Sequence, residues 1–170
     1  MNCTLRAWTP EDAPALVPLI NNRKVQDNLR DGIPFPYALE DAHFFIRETL
    51  QADPEKLYAF AILADGALAG SISVTRAENV HSRTGELGYY LGESFWGHGI
   101  ASEAVRQICS YVFEHTDILR IFAEPFAYNT ASCRVLEKAG FSCEGTLRCN
   151  AVKNGRVLDI KMYALLRSDL

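Results

Sequence analysis

The chain has 170 residues, 48% of them hydrophobic and 22% charged, with a formal net charge of −4. That length suits one domain, residues 1–170, around one buried core, and the apolar share excludes a disordered chain. The acidic balance argues against nucleic acid as a partner, and no apolar run reaches the roughly 18 residues of a membrane span.

The chain opens Met1-Asn2-Cys3-Thr4-Leu5-Arg6, without the basic and apolar segments of a secretion signal. Thr4 to Trp8 alternates apolar and polar residues and predicts a first strand. Thr9-Pro10-Glu11-Asp12 reads as a helix start: a capping threonine, a proline for the first position and two acids in the first turn. Ala13, Leu16, Val17, Leu19 and Ile20 form its apolar stripe, and Pro18 is expected to kink or shorten it. Gly32, Pro34 and Pro36 make Arg30 to Tyr37 a loop. Glu40 to Leu50 resumes the helical period. Its adjacent Phe44 and Phe45 cannot share a face: either both fill core gaps or one looks toward a substrate cleft.

Leu57 to Leu63 and Leu68 to Thr75 predict a hairpin about Asp65-Gly66. Ala77 to Arg83 is a polar loop, and Thr84 to Leu91 is the next strand. Ile100 to His115 follows as a helix with Ala101, Ala104, Val105, Ile108 and Val112 on one side. Leu119 to Ala123 is a short buried strand ended by Pro125. Thr130 to Ala139 is a helix closed by Gly140. Phe141 to Cys149 and Val157 to Leu165 form a last hairpin through Asn154-Gly155. The order is β-α-α-β-β-β-α-β-α-β-β. It predicts an α/β fold: a mixed, mostly antiparallel sheet of about seven strands flanked by four helices, with one parallel step across the helix from Ile100. The five cysteines are odd in number and none falls in a Cys-x-x-Cys pair, so they read as reduced thiols of a cytoplasmic protein. The four histidines lack metal-ligand spacing, and no metal site is expected.

Gly97 and Gly99 bracket His98 just before the helix at Ile100. The backbone N–H groups of His98 through Ser102 face whatever lies in front of that helix, where its dipole adds roughly half a positive charge. Such a turn serves either tight strand-to-helix packing or an anion, most often a phosphate or pyrophosphate. A P-loop is excluded because no Gly-Lys-Ser/Thr follows. The glycine spacing and the antiparallel strands before it exclude a dinucleotide fold.

With its preceding strand, Trp96-Gly97-His98-Gly99-Ile100-Ala101 resembles the acetyl-coenzyme A motif of the GNAT superfamily of N-acetyltransferases. Downstream, Asn129-Thr130-Ala131-Ser132-Cys133-Arg134-Val135-Leu136-Glu137-Lys138-Ala139-Gly140-Phe141 resembles that superfamily's second motif. Both are similar in wording to the RimJ/RimL-like branch of ribosomal-protein N-terminal acetyltransferases, as are Pro34-Phe35-Pro36-Tyr37 and Asp159-Ile160-Lys161-Met162-Tyr163-Ala164-Leu165. The likeness covers essentially the whole chain. It implies the GNAT fold, with acetyl-CoA as cosubstrate. It implies that Trp96, Gly97, His98, Gly99, Ile100, Ala101 and Ser102 form the pyrophosphate site. The strand end near Tyr90 and Leu91 should grip the pantetheine arm like an added strand, and Asn129 should reach a pantetheine amide. Arg134 meets a coenzyme phosphate or is a plain surface charge. Two positions depart from the pattern. Trp96 stands where the superfamily usually has Arg or Gln, and Leu136 stands where many members carry a tyrosine general acid.

Acetyl transfer to an amine needs a held thioester, a polarised carbonyl, a neutral amine and a protonated leaving thiolate. Glu86 shares a strand face with Gly88 and Tyr90, opposite Leu87, Tyr89 and Leu91. By resemblance to GNAT enzymes with a carboxylate there, Glu86 is the expected base, acting through water; an orienting or cross-strand role is the alternative. Ser132 and Tyr128, both near Asn129, are the candidate acids. Ser132 can only relay a hydrogen bond to the thiolate, and its other reading is a first-turn residue bonding the backbone. Tyr128 has the better pKa, near 10. Deprotonating an α-amine at neutral pH costs roughly 1 kcal/mol, against roughly 4–5 kcal/mol for a lysine side chain. An α-amine is therefore the better-suited acceptor, and the resemblance to the RimJ/RimL-like branch implies that it is a protein N-terminus. The alternatives are a small amine (amino acid, polyamine or antibiotic) or a coenzyme-A-binding module without turnover. The loop from Arg30 to Tyr37 and the hairpin at Asn154-Gly155 should line the acceptor entrance, with Phe35 and Tyr37 as one wall or as residues that pin the loop. A monomer and a homodimer both suit the composition.

Overall fold

Seven strands form one sheet in the computed structural model, which describes every residue from Met1 to Leu170. The strands are β1 (Cys3–Arg6), β2 (Leu57–Ala64), β3 (Ala67–Arg76), β4 (Thr84–Leu91), β5 (Arg120–Ala123), β6 (Ser142–Lys153) and β7 (Arg156–Leu166). Their spatial order is β1-β2-β3-β4-β5-β7-β6. Every pairing is antiparallel except β4 with β5, the one parallel step expected from the helix between them. Both hairpin turns take left-handed backbone angles at both central residues: φ is 49° and 84° at Asp65-Gly66, and 51° and 74° at Asn154-Gly155. That geometry matches the twist of the flanking strands.

Five helices flank the sheet rather than four: α1 (Ala13–Ile20), α2 (Arg23–Gln26), α3 (Leu39–Gln51), α4 (Ile100–His115) and α5 (Thr130–Lys138). The addition, α2, is a single turn too short to show a period. Asn22 caps it by accepting the Lys24 N–H at 2.9 Å. Gln26 fastens it to the carbonyls of Ile20 and Pro34, both at 3.0 Å. The first expected helix is divided: Pro10–Asp12 is a separate 3-10 turn, and α1 is only eight residues long with Pro18 inside it. Strand β6 continues past its expected end at Cys149. There the ladder shifts register, and Cys149 adopts φ 54° with its N–H held by Asp159 at 2.8 Å.

Helices α4 and α5 pack on one face of the sheet, where Leu87, Leu91, Ile108, Val112, Ile121 and Leu136 are core residues. Helices α1 to α3 cover the other face around Trp8, Leu16, Ile20, Ile46 and Ala61. No helix is long and apolar enough to cross a membrane. The ladder between β4 and β5 holds only from Thr84–Arg120 to Glu86–Phe122. Beyond Glu86 the two strands part, and the sheet has a gap.

Candidate active site

The gap exposes one edge of β4. Ala77 N–H bonds Thr84 C=O at 2.9 Å and Gly92 N–H bonds Ala69 C=O at 2.9 Å, so the even-numbered residues of β4 turn their backbone groups to β3. The odd-numbered ones face the other way, as Leu119 N–H shows by bonding Arg83 C=O at 2.8 Å. Tyr89 and Leu91 therefore present their backbone to the gap, and Tyr90 commits its own to β3. The Leu91 carbonyl is already taken by the Trp96 indole N–H at 3.0 Å. Tyr90 is expected to grip a guest through its backbone; the backbone left open to the gap is that of its neighbour Tyr89.

The turn into α4 is built as its glycines suggest. Gly97 and Gly99 have φ 79° and 77°, and a Cβ at either would meet open space. Their left-handed angles, not crowding, call for glycine. The first backbone bond of the helix is Glu103 N–H to Gly99 C=O at 3.2 Å. Every backbone N–H from Gly97 through Ser102 is left without an acceptor in the chain. This fan of donors at a sixteen-residue helix start has the geometry that suits an anion.

A cavity of about 440 Å³ runs from that fan to the exposed edge of β4. Tyr90, Leu91, Trp96, Gly97, Gly99, Ile100, Ala101, Ser102, Asn129, Ser132 and Arg134 line it, which gathers nearly all the expected coenzyme residues in one place. His98 is exposed between the two glycines and does not line it. Arg134 and Lys138, one turn apart on α5, both border the cavity, and neither has an anionic partner in the chain. Asn129 caps α5 by accepting the Ser132 N–H at 3.2 Å, which leaves its side-chain amide N–H free.

A second cavity, of about 410 Å³, adjoins the first. Its lining includes Ser71, Ser73, Thr75, Glu86 and Gly88 from one face of the sheet and Leu87, Ser132 and Leu136 from the other. It passes through the sheet where β4 and β5 part. Both cavities touch Asn28, Leu29, Tyr89, Tyr90 and Ser132. Phe45 borders the second cavity and packs edge-on against Trp8, whereas Phe44 is exposed.

At the junction, the Tyr89 and Ser132 hydroxyls lie 2.7 Å apart. Burial pushes the Tyr89 phenol up to about 12, with the Ser132 hydrogen bond pulling the other way. Burial also pushes Tyr90 up, against the Ser71 hydroxyl beside it. Both phenols are therefore protonated at neutral pH. The sequence gives Tyr89 no role, because it sits on the face opposite Glu86. The signal was present in the alternation of β4, since α5 packs on that same face. Tyr128 lies elsewhere: its hydroxyl donates to Asn28 Oδ1 at 2.6 Å, and it borders neither cavity. Leu136, at the position where a tyrosine was lacking, is fully buried. Glu86 reaches the second cavity but is not a free carboxylate, because Arg30 donates to one of its oxygens.

These features leave room for a phosphate-bearing molecule at the helix start and for a second molecule reaching it through the sheet. Residues 2–142 match the family model of the acetyltransferase (GNAT) domain, and the chain belongs to that family. It is an acetyl-CoA-dependent N-acetyltransferase. The putative ribosomal N-acetyltransferase YdaF of Bacillus subtilis is 32% identical to it over 172 aligned positions, spanning 98% of this chain and 92% of that protein. The ribosomal-protein-serine acetyltransferase of Escherichia coli is 31% identical over 105 residues, 62% of this chain and 58% of the other. A crystal structure of the acetyl transferase that modifies the N-terminal serine of 50S ribosomal subunit protein L7/L12 from Salmonella typhimurium superposes with a TM-score of 0.82. That pair is 25% identical, and the match covers 98% of this chain and 95% of the other.

Proposed function

We propose that this enzyme transfers the acetyl group of acetyl-CoA to the α-amine of a protein N-terminus. The observation that carries the reading is the meeting of two cavities at one hydroxyl pair, Tyr89 and Ser132. The coenzyme's pyrophosphate lies against the backbone N–H groups from Gly97 to Ser102, with Arg134 and Lys138 at the mouth for a further phosphate. The pantetheine arm runs along the open edge of β4, bonding the backbone of Tyr89 and Leu91 and the Asn129 amide. A β4 backbone N–H facing the gap polarises the thioester carbonyl. The acceptor enters through the second cavity and attacks at the junction. As the carbon–sulfur bond breaks, Ser132 gives its proton to the thiolate and takes the proton of Tyr89, and the phenolate regains a proton from water in the cavity before the next turnover. The amine loses its own proton through water toward Glu86, whose second oxygen has no partner in the chain.

The likeness to ribosomal-protein acetyltransferases supports an N-terminal acceptor, as does the lower cost of deprotonating an α-amine. Five free cysteines, three of them buried, support a cytoplasmic setting. A small polycationic amine is the second reading, favoured by the carboxylates of Asp31, Glu86 and Glu124 on the second cavity. One assay separates the two. Thiol release from acetyl-CoA is followed with peptides bearing free or blocked N-termini, a polyamine, free amino acids and an aminoglycoside. Turnover confined to free N-terminal peptides is the expected result; turnover of the polyamine alone would replace the acceptor.

A further inference from the structure

Arg30 lies in the connection between α2 and α3, with its side chain 65% exposed. Its Nη2 nitrogen nevertheless bonds two carboxylates: Glu86 on β4, and Glu124 just beyond β5 at 3.0 Å. Register explains why they are neighbours. Glu86 pairs with Phe122 at the last step of the parallel ladder, and Glu124 points to the same side as Phe122. Past that step no backbone bond sets the distance between the strands. Two carboxylates this close repel each other, and the guanidinium between them offsets the repulsion. The three side chains carry a formal charge of −1 together. Glu86 Oε2 and Glu124 Oε1 have no partner in the chain, and both residues border the second cavity.

The segment carrying Arg30 is fastened across the gap. Asp27 accepts from the Asn154 amide at 3.0 Å, Asn28 from the Tyr128 hydroxyl at 2.6 Å, and Asp31 from Lys153 at 3.0 Å. The Lys153 side chain is only 12% exposed, so this partner is itself held in place. Residues 27 to 31 leave helices packed beside β3 and reach the β6–β7 hairpin on the far side of β5. They form a strap over the place where the cavities meet.

We infer that Arg30 is a positioning residue for the acceptor: it holds Glu86 and Glu124 together as a two-carboxylate seat for one ammonium group, and the strap holds Arg30 there. The inference rests on the second cavity being the acceptor site. A single positive charge neutralises the cluster, and the two free oxygens accept its hydrogen bonds, on the Glu86 side through the water that later carries its proton away.

The test pairs binding with turnover, using the full chain saturated with coenzyme A. Titration calorimetry compares a Ser-Ala-Ala amide with its Nα-acetylated form. The wild type should favour the free amine by about tenfold or more, as expected for a close charge pair. Arg30→Ala should lose most of that preference, Arg30→Lys should regain part of it, and Lys153→Ala should fall between wild type and Arg30→Ala. In turnover, Arg30→Ala should raise the acceptor KM by about tenfold while the acetyl-CoA KM stays within about twofold. No preference in the wild type would overturn the seat, whether or not turnover is seen. Tighter acceptor binding in Arg30→Ala would show that the guanidinium competes for the seat, and would also overturn the inference. A preference for the free amine without acetyl transfer would leave the seat standing and defeat the proposed reaction.

Discussion

The Tyr89 and Ser132 hydroxyls, 2.7 Å apart, join the middle of β4 to the first turn of α5. Each hydroxyl can serve as donor or acceptor, so the pair is a two-step path for one proton. Because burial holds the phenol at about 12, Tyr89 stays loaded with its proton throughout the neutral range. Tyr89→Phe and Ser132→Ala should each lower kcat by about 10²-fold with the acetyl-CoA KM little changed. Members of a relay fail together, so the double variant should be no slower than the worse single one. Additive losses, measured in the same thiol-release assay, would show that the two hydroxyls act separately.

The left-handed residue at Gly99 has a cost that a matched control can separate from its role. An added Cβ meets nothing at Gly99, and the same is true at Gly66 in the β2–β3 turn, where φ is 84°. Gly99→Ala and Gly66→Ala should therefore both lose about 1–2 kcal/mol of stability from backbone angle alone. Only Gly99→Ala should weaken coenzyme A, by about tenfold, since it disturbs the donor fan. Denaturant unfolding and coenzyme titration read the two effects independently.

Two further glycines separate folding from acceptor binding. A Cβ at Gly70 would sit 2.0 Å from the Tyr90 carbonyl oxygen, so Gly70→Ala must push β3 and β4 apart. It should cost at least about 3 kcal/mol, seen as a large fall in the unfolding midpoint. At Gly88 the nearest atom to a Cβ is the hydroxyl of its cross-strand partner Ser73 at 4.0 Å, beside it on the floor of the cavity proposed for the acceptor. Gly88→Ala should leave stability within about 0.5 kcal/mol of wild type. Its methyl group narrows the cavity, and the acceptor KM should rise severalfold.

The acid limit of stability is set in part at Asp12. Its carboxylate accepts two hydrogen bonds from Arg6, at 2.7 and 2.8 Å, and another from the Thr9 N–H at 2.9 Å. The Arg6 bonds are the chief reason its pKa falls below the ordinary 3.8. A depressed carboxylate pKa means that the unfolded chain binds the proton more readily. The stabilisation is therefore complete above pH 3.8 and is lost as pH falls through the lower folded-state value. Asp12→Asn should be less stable than wild type at pH 6, and the gap should narrow below pH 4. A gap independent of pH in urea unfolding would contradict this.

Much of this site could be read from residues that act locally. The glycine pair before Ile100 and the turns at Asp65-Gly66 and Asn154-Gly155 depend on backbone angles that few residues adopt, so composition announces them. The contacts that complete the site depend on register and packing. Glu124 meets Glu86 only because β5 pairs with β4 at one offset and then leaves it. Tyr89 meets Ser132 only because α5 crosses back over the face that Tyr89 occupies. Tyr128 stands second to Ser132 as a candidate acid in the sequence because nothing there gives its direction, and its loop turns the phenol toward Asn28. The helix Arg23–Gln26 is a single turn, and one turn carries no periodicity to detect.

The bond from the Trp96 indole to Leu91 gives the protein an optical reporter of its own. There are two tryptophans. Trp8 is 3% exposed and its indole N–H has no partner, so its emission is that of an apolar setting. Trp96 is 42% exposed at the edge of the cavity proposed for the coenzyme, so its emission lies further to the red. Filling that cavity changes the surroundings of one fluorophore and leaves the other dark to the event. Coenzyme occupancy can therefore be followed in the unlabelled chain by exciting at the red edge, with Trp96→Phe as the silent control.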